Sequence, residues 1–176
     1  MLRYLDSRSR WANGNDRVSL GHQRWQTAKI DNPGLSSNRF ETVVPQPSNE
    51  RAGEGFFRAL MDAYTEAWNR EDIDAIESFY NIPFFSYHDG AVHVYSDADL
   101  SRSITAEWIE VNRREGPAVW ERLSSSLERQ GHNSVLVTSR WAFRRPDGTA
   151  VWEFVDSYHL CKFGEEWKFL DRTIHE

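Results

Sequence analysis

The apolar residues of this chain first follow the period of a helix and later the period of a strand. Between residues 52 and 70 large apolar side chains recur at spacings of three, four and seven, which predicts an amphipathic helix. Residues 72–80 predict a short second helix that Asp72 caps and Pro83 ends, because an acidic start suits the helix dipole and proline cannot continue a helix. The pattern therefore predicts two consecutive helices.

A third helix is predicted from residue 97 to about residue 114, where Ser96-Asp97 offers a start and Gly116-Pro117 closes it. A helical spacing places four apolar residues on one face, which we expect to pack on the core: Leu100, Ile104, Trp108 and Val111.

The remaining segments predict β-structure. Residues 84–88 and 91–95 are apolar runs around Asp89-Gly90, and Asp-Gly is a strong signal of a two-residue hairpin turn. Four long strands separated by short turns follow Pro117, at residues 118–129, 134–145, 149–163 and 167–174. Such strands form an antiparallel meander, and Ser124-Ser125-Ser126 suggests a bulge or bend in the first of them.

One strand carries a carboxylate among apolar side chains. Because strand side chains alternate between faces, Asp156 shares a face with Phe154 and Tyr158, while His159 lies on the other face. A buried carboxylate must be paired, hydrogen-bonded or protonated. We therefore expect Asp156 either to line a cavity or to be a structural acid held by a backbone amide, Arg140 or Tyr64.

Composition narrows the classes of function. The formal net charge of −6 argues against nucleic-acid binding and against an electrostatic membrane site, both of which need a basic face. Cys161 is the single cysteine, so no internal disulfide can form. No apolar run approaches the roughly 18 residues of a membrane span, and the first residues lack a signal-peptide segment. These features predict a soluble cytoplasmic protein without nucleic-acid or membrane partners.

Residues 1–52 differ from the rest of the chain. They are rich in polar residues and contain turn signals but no sustained apolar period. We predict a flexible or loosely docked N-terminal extension, with Trp11, Trp25 and Phe40 as anchors that could dock on the domain or a partner subunit, followed by one domain at residues 53–176.

The residues Ala63-Tyr64-Thr65-Glu66-Ala67-Trp68-Asn69-Arg70, followed by Asp72-Ile73-Asp74, resemble the signature of a known superfamily. Together with Asp156-Ser157-Tyr158-His159-Leu160 and the closing Glu166-Trp167-Lys168-Phe169, they are similar to the SnoaL-like and ketosteroid-isomerase-like branch of the nuclear transport factor 2-like (NTF2-like) superfamily. The resemblance implies an α+β fold: a cone-like curved antiparallel sheet, made of the hairpin and the four-stranded meander, packed on three helices. It also implies a ligand cavity and a homodimer.

The resemblance to ketosteroid isomerases implies roles for three residues. Tyr64 matches the oxyanion-hole tyrosine, Asp156 matches the protonated aspartic acid that donates beside it, and His88 falls where the family has its general-base aspartate. Each residue has a second interpretation, since Tyr64 also fits a core aromatic and His88 also fits an exposed turn residue. His93 is an alternative proton carrier, and Asp171 with Asp156 faintly resembles the paired aspartates of limonene-epoxide-hydrolase-like members.

Aromatic residues on the predicted apolar faces are expected to bind substrate together with His93: Phe57, Trp68, Trp108, Trp141, Phe154 and Tyr158. The chain contains no phosphate loop, nucleophile elbow or metal-ligand spacing, so no metal and no cofactor is expected. The sequence thus predicts a small-molecule-binding domain, either a cofactor-independent isomerase, cyclase or lyase for an apolar carbonyl compound, or a non-catalytic ligand-binding or homodimerisation module.

Overall fold

A computed structural model describes residues 53–88 and 90–175. The predicted N-terminal extension, with Trp11, Trp25 and Phe40, lies outside the described residues. Three helices are present in this part of the chain: α1 (Glu54–Asn69), α2 (Ile73–Glu77) and α3 (Ala98–Arg114). Six strands accompany them: β1 (Tyr80–His88), β2 (Ala91–Tyr95), β3 (Val119–Arg129), β4 (Ser134–Arg144), β5 (Ala150–Phe163) and β6 (Glu166–His175).

The strands form one sheet in the order β2-β1-β6-β5-β4-β3. The meander is antiparallel as predicted, whereas β1 and β6 pair in parallel. The register between β3 and β4 shifts between Arg122 and Ser124, beside the predicted bulge, and such a shift increases the bend of a strand. The domain is therefore the α+β architecture that the sequence predicts, with one parallel junction in its sheet.

The core lies between α1 and the inner face of the sheet. Apolar residues of α1 at helical spacing are buried, namely Phe57, Leu60, Met61, Tyr64 and Ala67. They pack on aromatic side chains from the strands, and the ring of Phe169 is fully buried with its centroid 4.9 Å from that of Tyr64. Large aromatic rings supply much of the buried apolar area, because each one removes more surface from water than an aliphatic side chain.

Two predictions about local structure are wrong in detail. The second helix ends at Glu77, and Pro83 lies inside β1, which begins at Tyr80 instead of residue 84. The cause is tertiary pairing, since Tyr80 pairs with Phe169 and the carbonyl of Phe79 accepts a hydrogen bond from the Phe169 amide at 2.8 Å. The predicted cap is present, because the Asp72 carboxylate accepts from the Ala75 amide at 3.0 Å.

The buried face of α3 is also rotated from the predicted one. Leu100 is 39% exposed, while the helix buries Ser101, Thr105, Ile109 and Asn112. The Thr105 hydroxyl donates to the Glu77 carboxylate of α2 at 2.6 Å, so a polar contact helps to set the orientation of the helix. A prediction based on apolar periodicity cannot weigh such contacts, which explains the rotation by one residue.

Candidate functional site

Strand register brings Asp156 onto the inner face of the sheet with several other polar side chains. Tyr158, two residues away on β5, pairs with Arg172 of β6, and Arg172 pairs in turn with Ser86 of β1. Paired residues of neighbouring strands share a face. A polar row in a largely apolar interior is therefore formed by Asp156, Tyr158, Arg172 and Ser86.

Asp156 is 1% exposed and has one satisfied and one unsatisfied oxygen. Its Oδ2 accepts a hydrogen bond from the Tyr158 hydroxyl at 2.8 Å, whereas its buried Oδ1 has no hydrogen-bond partner among the described residues. Burial raises the pKa of Asp156, although the positive charge of Arg172 and the bond from Tyr158 act in the opposite direction. The carboxyl group therefore keeps its proton to a higher pH than an exposed aspartic acid does, and in the neutral form it can donate a hydrogen bond.

Arg172 is a functional candidate that the sequence interpretation missed. Its guanidinium contacts the Ser86 hydroxyl, at 3.4 Å from Nε and 3.3 Å from Nη2, rather than a carboxylate. Burial by itself lowers the pKa of Arg172, but the negative charge of Asp156 and the neighbouring tyrosines reverse the effect and raise it. Arg172 is therefore a permanent cation in the interior.

A β-bulge explains why Arg172 was missed. Leu160 pairs with Phe169 and His159 with Asp171, so Leu170 is an extra residue on β6. Simple alternation from Phe169 would point Asp171 inwards and Arg172 outwards, and the bulge reverses both. Asp171 instead lies on the outer face, 3.6 Å from Nδ1 of His159, so the suggested pairing of Asp171 with Asp156 in one cavity is wrong.

Tyr64 reaches the same interior from α1. Its hydroxyl is 2.7 Å from the hydroxyl of Tyr80, and either group can be the donor. Burial raises the pKa of both tyrosines, so both keep their protons at neutral pH. In such a pair one hydroxyl donates to the other, which leaves the accepting hydroxyl with a proton that can be offered to a ligand oxygen. Tyr64 does not hydrogen-bond to Asp156, contrary to one structural interpretation of Asp156.

The two candidate histidines lie together on this inner face. His93 pairs with Ser86, and its ring stacks on that of His88 with 4.0 Å between ring centroids and 8° between planes. His88 pairs with Ala91 across the predicted two-residue turn and is half-buried, so it is not the fully exposed turn residue of the second interpretation. Both imidazoles therefore border the polar row through Ser86.

The predicted substrate-binding aromatics are distributed over the interior. Trp141 and Tyr158 are buried in the core, and Phe154 packs partly buried against it. Phe57 lines a cavity of about 190 Å³ beneath β3, and Trp68 lines one of about 350 Å³ at the end of α1. Trp108 is half-buried on α3 and lines neither cavity.

Asp156 lines neither of these two cavities, and its side chain is 1% exposed. Arg140, the other residue considered as a partner of Asp156, lies on the outer face and pairs with Glu153 at 2.8 Å. Among the described residues no cluster of three or more His, Cys, Asp and Glu side chains could hold a metal ion. The helices of this region are also too short or too polar to span a membrane.

Three helices over a curved six-stranded sheet, with a polar row inside an aromatic core, define an NTF2-like domain. Residues 53–176 match the family described as NTF2-like protein (DUF6841), and the chain belongs to this family. No curated protein matches the sequence.

Solved structures agree with this fold. An NTF2-like protein of unknown function from Shewanella oneidensis MR-1 has a TM-score of 0.51 and 16% identity, covering 68% of this chain and 96% of that one. A candidate ketosteroid isomerase from Shewanella frigidimarina NCIMB 400 has a TM-score of 0.53 and 10% identity, covering 65% and 90%. An NTF2-like protein from Novosphingobium aromaticivorans has a TM-score of 0.55 and 11% identity, covering 67% and 77%. At these identities the likeness shows the fold alone.

Proposed function

We propose that the domain binds an apolar carbonyl compound on the inner face of its sheet and acts on it as a cofactor-independent isomerase, cyclase or lyase. The observation that carries the proposal is the buried Oδ1 of Asp156, which has no hydrogen-bond partner in the described chain and shares its face with Arg172. An unsatisfied buried carboxyl oxygen is costly, and a ligand oxygen that accepts from the neutral carboxyl group would remove that cost.

The chemistry follows from which groups hold protons. When it carries its proton, the Asp156 carboxyl donates from Oδ1 to the carbonyl oxygen, and the spare proton of the Tyr64–Tyr80 pair is a second donor. Negative charge that develops on the oxygen is further stabilised by Arg172. The stacked His88 and His93 supply a base that removes a proton next to the carbonyl and an acid that returns it elsewhere.

Because Asp156 is 1% exposed, we expect a ligand to reach it when half-buried side chains beside it move. Ile174 pairs directly with Asp156, Phe154 lies two residues away on the same face, and both are half-buried. Side-chain rotation at such positions is common on ligand binding. The candidate ketosteroid isomerase among the similar structures supports a reaction of this class, as does the resemblance of Tyr64 and Asp156 to that family.

Asp156→Asn tests the proposal in the full-length chain. With 2-tetralone as an apolar probe ketone, we expect the wild-type protein to accelerate exchange of the protons next to the carbonyl with deuterated solvent. The variant should lose about tenfold of this acceleration, because the amide N–H that replaces the carboxyl O–H is a weaker hydrogen-bond donor to the negative charge that develops on the oxygen. Proton NMR measures the exchange rate, and Asp171→Asn on the outer face is the matched control that should keep it.

The non-catalytic alternative gives a different result. A pure binding module would bind 2-tetralone without accelerating exchange, and Asp156→Asn would change its affinity little. Exchange that is the same with the variant and the wild type would contradict the catalytic proposal.

We further propose that the domain forms a homodimer through the outer face of the hairpin. Tyr87 and Val92 are paired and are 40% and 56% exposed, and Val94 beside them is 47% exposed. The outer face of the meander is charged instead, with Arg140 paired to Glu153. Contiguous exposed apolar side chains are typical of interaction surfaces.

The double substitution Val92→Lys and Val94→Lys should convert the dimer to a monomer, because it places like charges at the centre of the interface. Native mass spectrometry measures the oligomeric state. A dimer that survives both substitutions would place the interface elsewhere, and a wild-type monomer would contradict the proposal.

A further inference from the structure

A second group of reactive side chains lies on the outer face of the meander. Leu136 of β4 pairs with His159 of β5, which pairs in turn with Asp171 of β6, and Ser134 lies two residues before Leu136 on the same face. The Ser134 hydroxyl is 2.7 Å from Nε2 of His159, and Oδ2 of Asp171 is 3.6 Å from Nδ1 of the same ring. We call Ser134, His159 and Asp171 the outer-face triad. Asp156 faces inwards, so this group goes beyond the function proposed above.

The two ring nitrogens of His159 have different neighbours. A carboxylate beside Nδ1 favours the tautomer that carries its proton there, which leaves Nε2 free to accept the hydrogen bond of the Ser134 hydroxyl. A hydroxyl, an imidazole and a carboxylate in this order form the triad of many hydrolases, and the arrangement recurs on unrelated folds. In this geometry His159 can take the proton of Ser134 while the oxygen attacks a carbonyl carbon.

A second serine–histidine pair on the same face shows what distinguishes the outer-face triad. The Ser157 hydroxyl is also 2.7 Å from a histidine, at Nε2 of His175, but it is 2.8 Å from the Thr138 hydroxyl as well. Ser157 is 9% exposed and is therefore held between two partners in the sheet. Ser134 is less deeply buried, and the histidine beside it has a carboxylate at its other nitrogen. The Ser157 pair is therefore a structural contact and a natural internal control.

Cys161 is the other possible nucleophile beside His159. It pairs with Ser134, and its Sγ is 4.0 Å from Nε2 of His159. Burial raises the pKa of Cys161 and the negative charge of Asp171 acts in the same direction, although the contact with Ser134 opposes both. The thiol is thus protonated at neutral pH, whereas the thiolate is the nucleophilic form. Ser134, which is bonded to the imidazole directly, is the better placed nucleophile.

Apolar side chains lie beside the outer-face triad. Phe163 is 42% exposed and, by alternation along β5, shares a face with His159 and Cys161. Leu136 is half-buried on the same face, directly opposite His159. An exposed aromatic ring next to reactive groups can pack against an apolar part of a substrate.

The charges around the outer-face triad favour a neutral substrate. Lys168 lies opposite Cys161, but its ammonium group donates to the Ser78 carbonyl at 2.7 Å and is 3.1 Å from the Glu166 carboxylate. This cation is therefore already matched, while Asp171 supplies negative charge at the triad itself. An anionic substrate would be repelled by Asp171, and a neutral ester would not.

We propose that Ser134 is the nucleophile of a second active site, which hydrolyses neutral aryl esters of short acyl groups. Oγ of Ser134 bonds to the acyl carbon while its proton passes to Nε2 of His159, the bond to the aryl oxygen breaks, and the leaving phenolate takes that proton. Water then attacks the acyl-serine and gives a proton to His159, and the bond to Oγ breaks as the proton returns to it. Asp171 is a positioning residue, which holds the imidazole and stabilises its charged form. A phenolate is a good leaving group, so the first step needs little stabilisation of charge by the protein.

Reaction of the full-length protein with 4-nitrophenyl acetate tests the proposal. Absorbance follows the release of 4-nitrophenol, and mass spectrometry of peptides from acid-quenched samples locates the acetyl group. We expect acetylation of Ser134, which Ser134→Ala abolishes and His159→Gln slows about a hundredfold, because the general base is lost. Ser157→Ala is the matched control that should keep the reaction, since Ser157 has the same distance to a histidine. Circular dichroism shows whether each variant is folded.

Asp171→Asn tests the positioning role. We expect acetylation about tenfold slower, a smaller loss than for His159→Gln, because the carboxylate lies beyond hydrogen-bond distance at 3.6 Å. The midpoint of the rate against pH should also move to lower pH, since the variant lacks the negative charge that stabilises the imidazolium form. A merely structural role of Asp171 would lower the rate and leave this midpoint in place. Cys161→Ala removes the other titratable group beside the ring and should leave both rate and midpoint unchanged.

Two results would overturn the proposal. One is an acetyl group found on Cys161 or on lysine side chains but never on Ser134. The other is a rate of nitrophenol release that Ser134→Ala does not change. Asp156→Asn should leave the acetylation of Ser134 unchanged, so a failure of this site is distinguishable from a failure of the site on the inner face.

Discussion

Arg172→Met is expected to lower the free energy of unfolding by about 2 kcal/mol at pH 7 and by much less near pH 3.5. The substitution keeps the aliphatic length of the side chain and removes the positive charge that acts on Asp156. Loss of one partner of a fully buried ion pair costs roughly 3–5 kcal/mol. We expect a smaller value here because Arg172 is partly exposed and contacts Ser86 rather than the carboxylate.

The pH dependence follows from the raised pKa of Asp156. A carboxyl group whose pKa is higher in the folded protein than in the unfolded chain contributes stability below its ordinary pKa of about 4, and this contribution is lost as the pH rises through the raised value. Without Arg172 the folded-state pKa of Asp156 rises further, so the loss between acid and neutral pH becomes larger. Near pH 3.5 Asp156 is mostly neutral in the folded state of both the wild type and Arg172→Met. The difference between their free energies of unfolding therefore shrinks.

Urea unfolding at a series of pH values measures this effect. Arg140→Met is the matched control, since Arg140 is an exposed arginine on the outer face, and its loss should change stability by about 0.5 kcal/mol or less. When Arg172→Met is combined with Asp156→Asn, the pH-dependent part of the loss in unfolding free energy should disappear. An Arg172→Met effect that is the same at pH 3.5 and pH 7 would show that the guanidinium does not act through Asp156.

Phe169→Ala is expected to cost about 4 kcal/mol of unfolding free energy. The ring of Phe169 is fully buried, with its centroid 4.9 Å from Tyr64, 5.0 Å from Tyr158 and 5.8 Å from Phe79. Removing it opens a cavity beneath two residues of the polar interior. A phenylalanine-to-alanine change in a core costs roughly 3–5 kcal/mol, because the lost burial is added to the cost of the cavity.

Phe163→Ala supplies the control for this prediction. Phe163 is 42% exposed at the end of β5, so its removal should cost well under 1 kcal/mol. Denaturant unfolding followed by tryptophan fluorescence gives both values. A cost below about 1.5 kcal/mol for Phe169→Ala would mean that the aromatic core refills the space, which conflicts with its close packing.

Local signals were sufficient to predict most of the architecture. Residue types and spacings predict the helical stripe of α1, the turn around Gly90 and the regular turns of the meander, so the element order followed from them. The resemblance of the motifs then implied the fold class. The burial of Asp156 was also predictable, because it shares a face of β5 with Phe154 and Tyr158, and Tyr158 is buried with it.

The composition of the candidate site was less predictable. Four candidates proposed from the sequence lie on one side of the sheet: Asp156, Tyr64, His88 and His93. Arg172 was not proposed, and Asp171 was considered instead. The bulge at Leu170 decides which of the two faces inwards, and a bulge depends on the partner strand. Their roles in catalysis remain predictions that the substitutions above test.

The orientation of α3 was likewise only partly predictable from the sequence. Its length and start were predicted from the sequence, but its buried face was not, because Thr105 and Asn112 are polar residues that only tertiary contacts bury. The cavity beside Asn112 could not be predicted from the sequence for the same reason. The sequence by itself determined the elements and their order, since these depend on short-range periodicity and turn chemistry, and the resemblance of its motifs indicated the NTF2-like class. Tertiary structure alone decided which polar side chains face inwards, since strand register and helix rotation are set by partners distant in the chain.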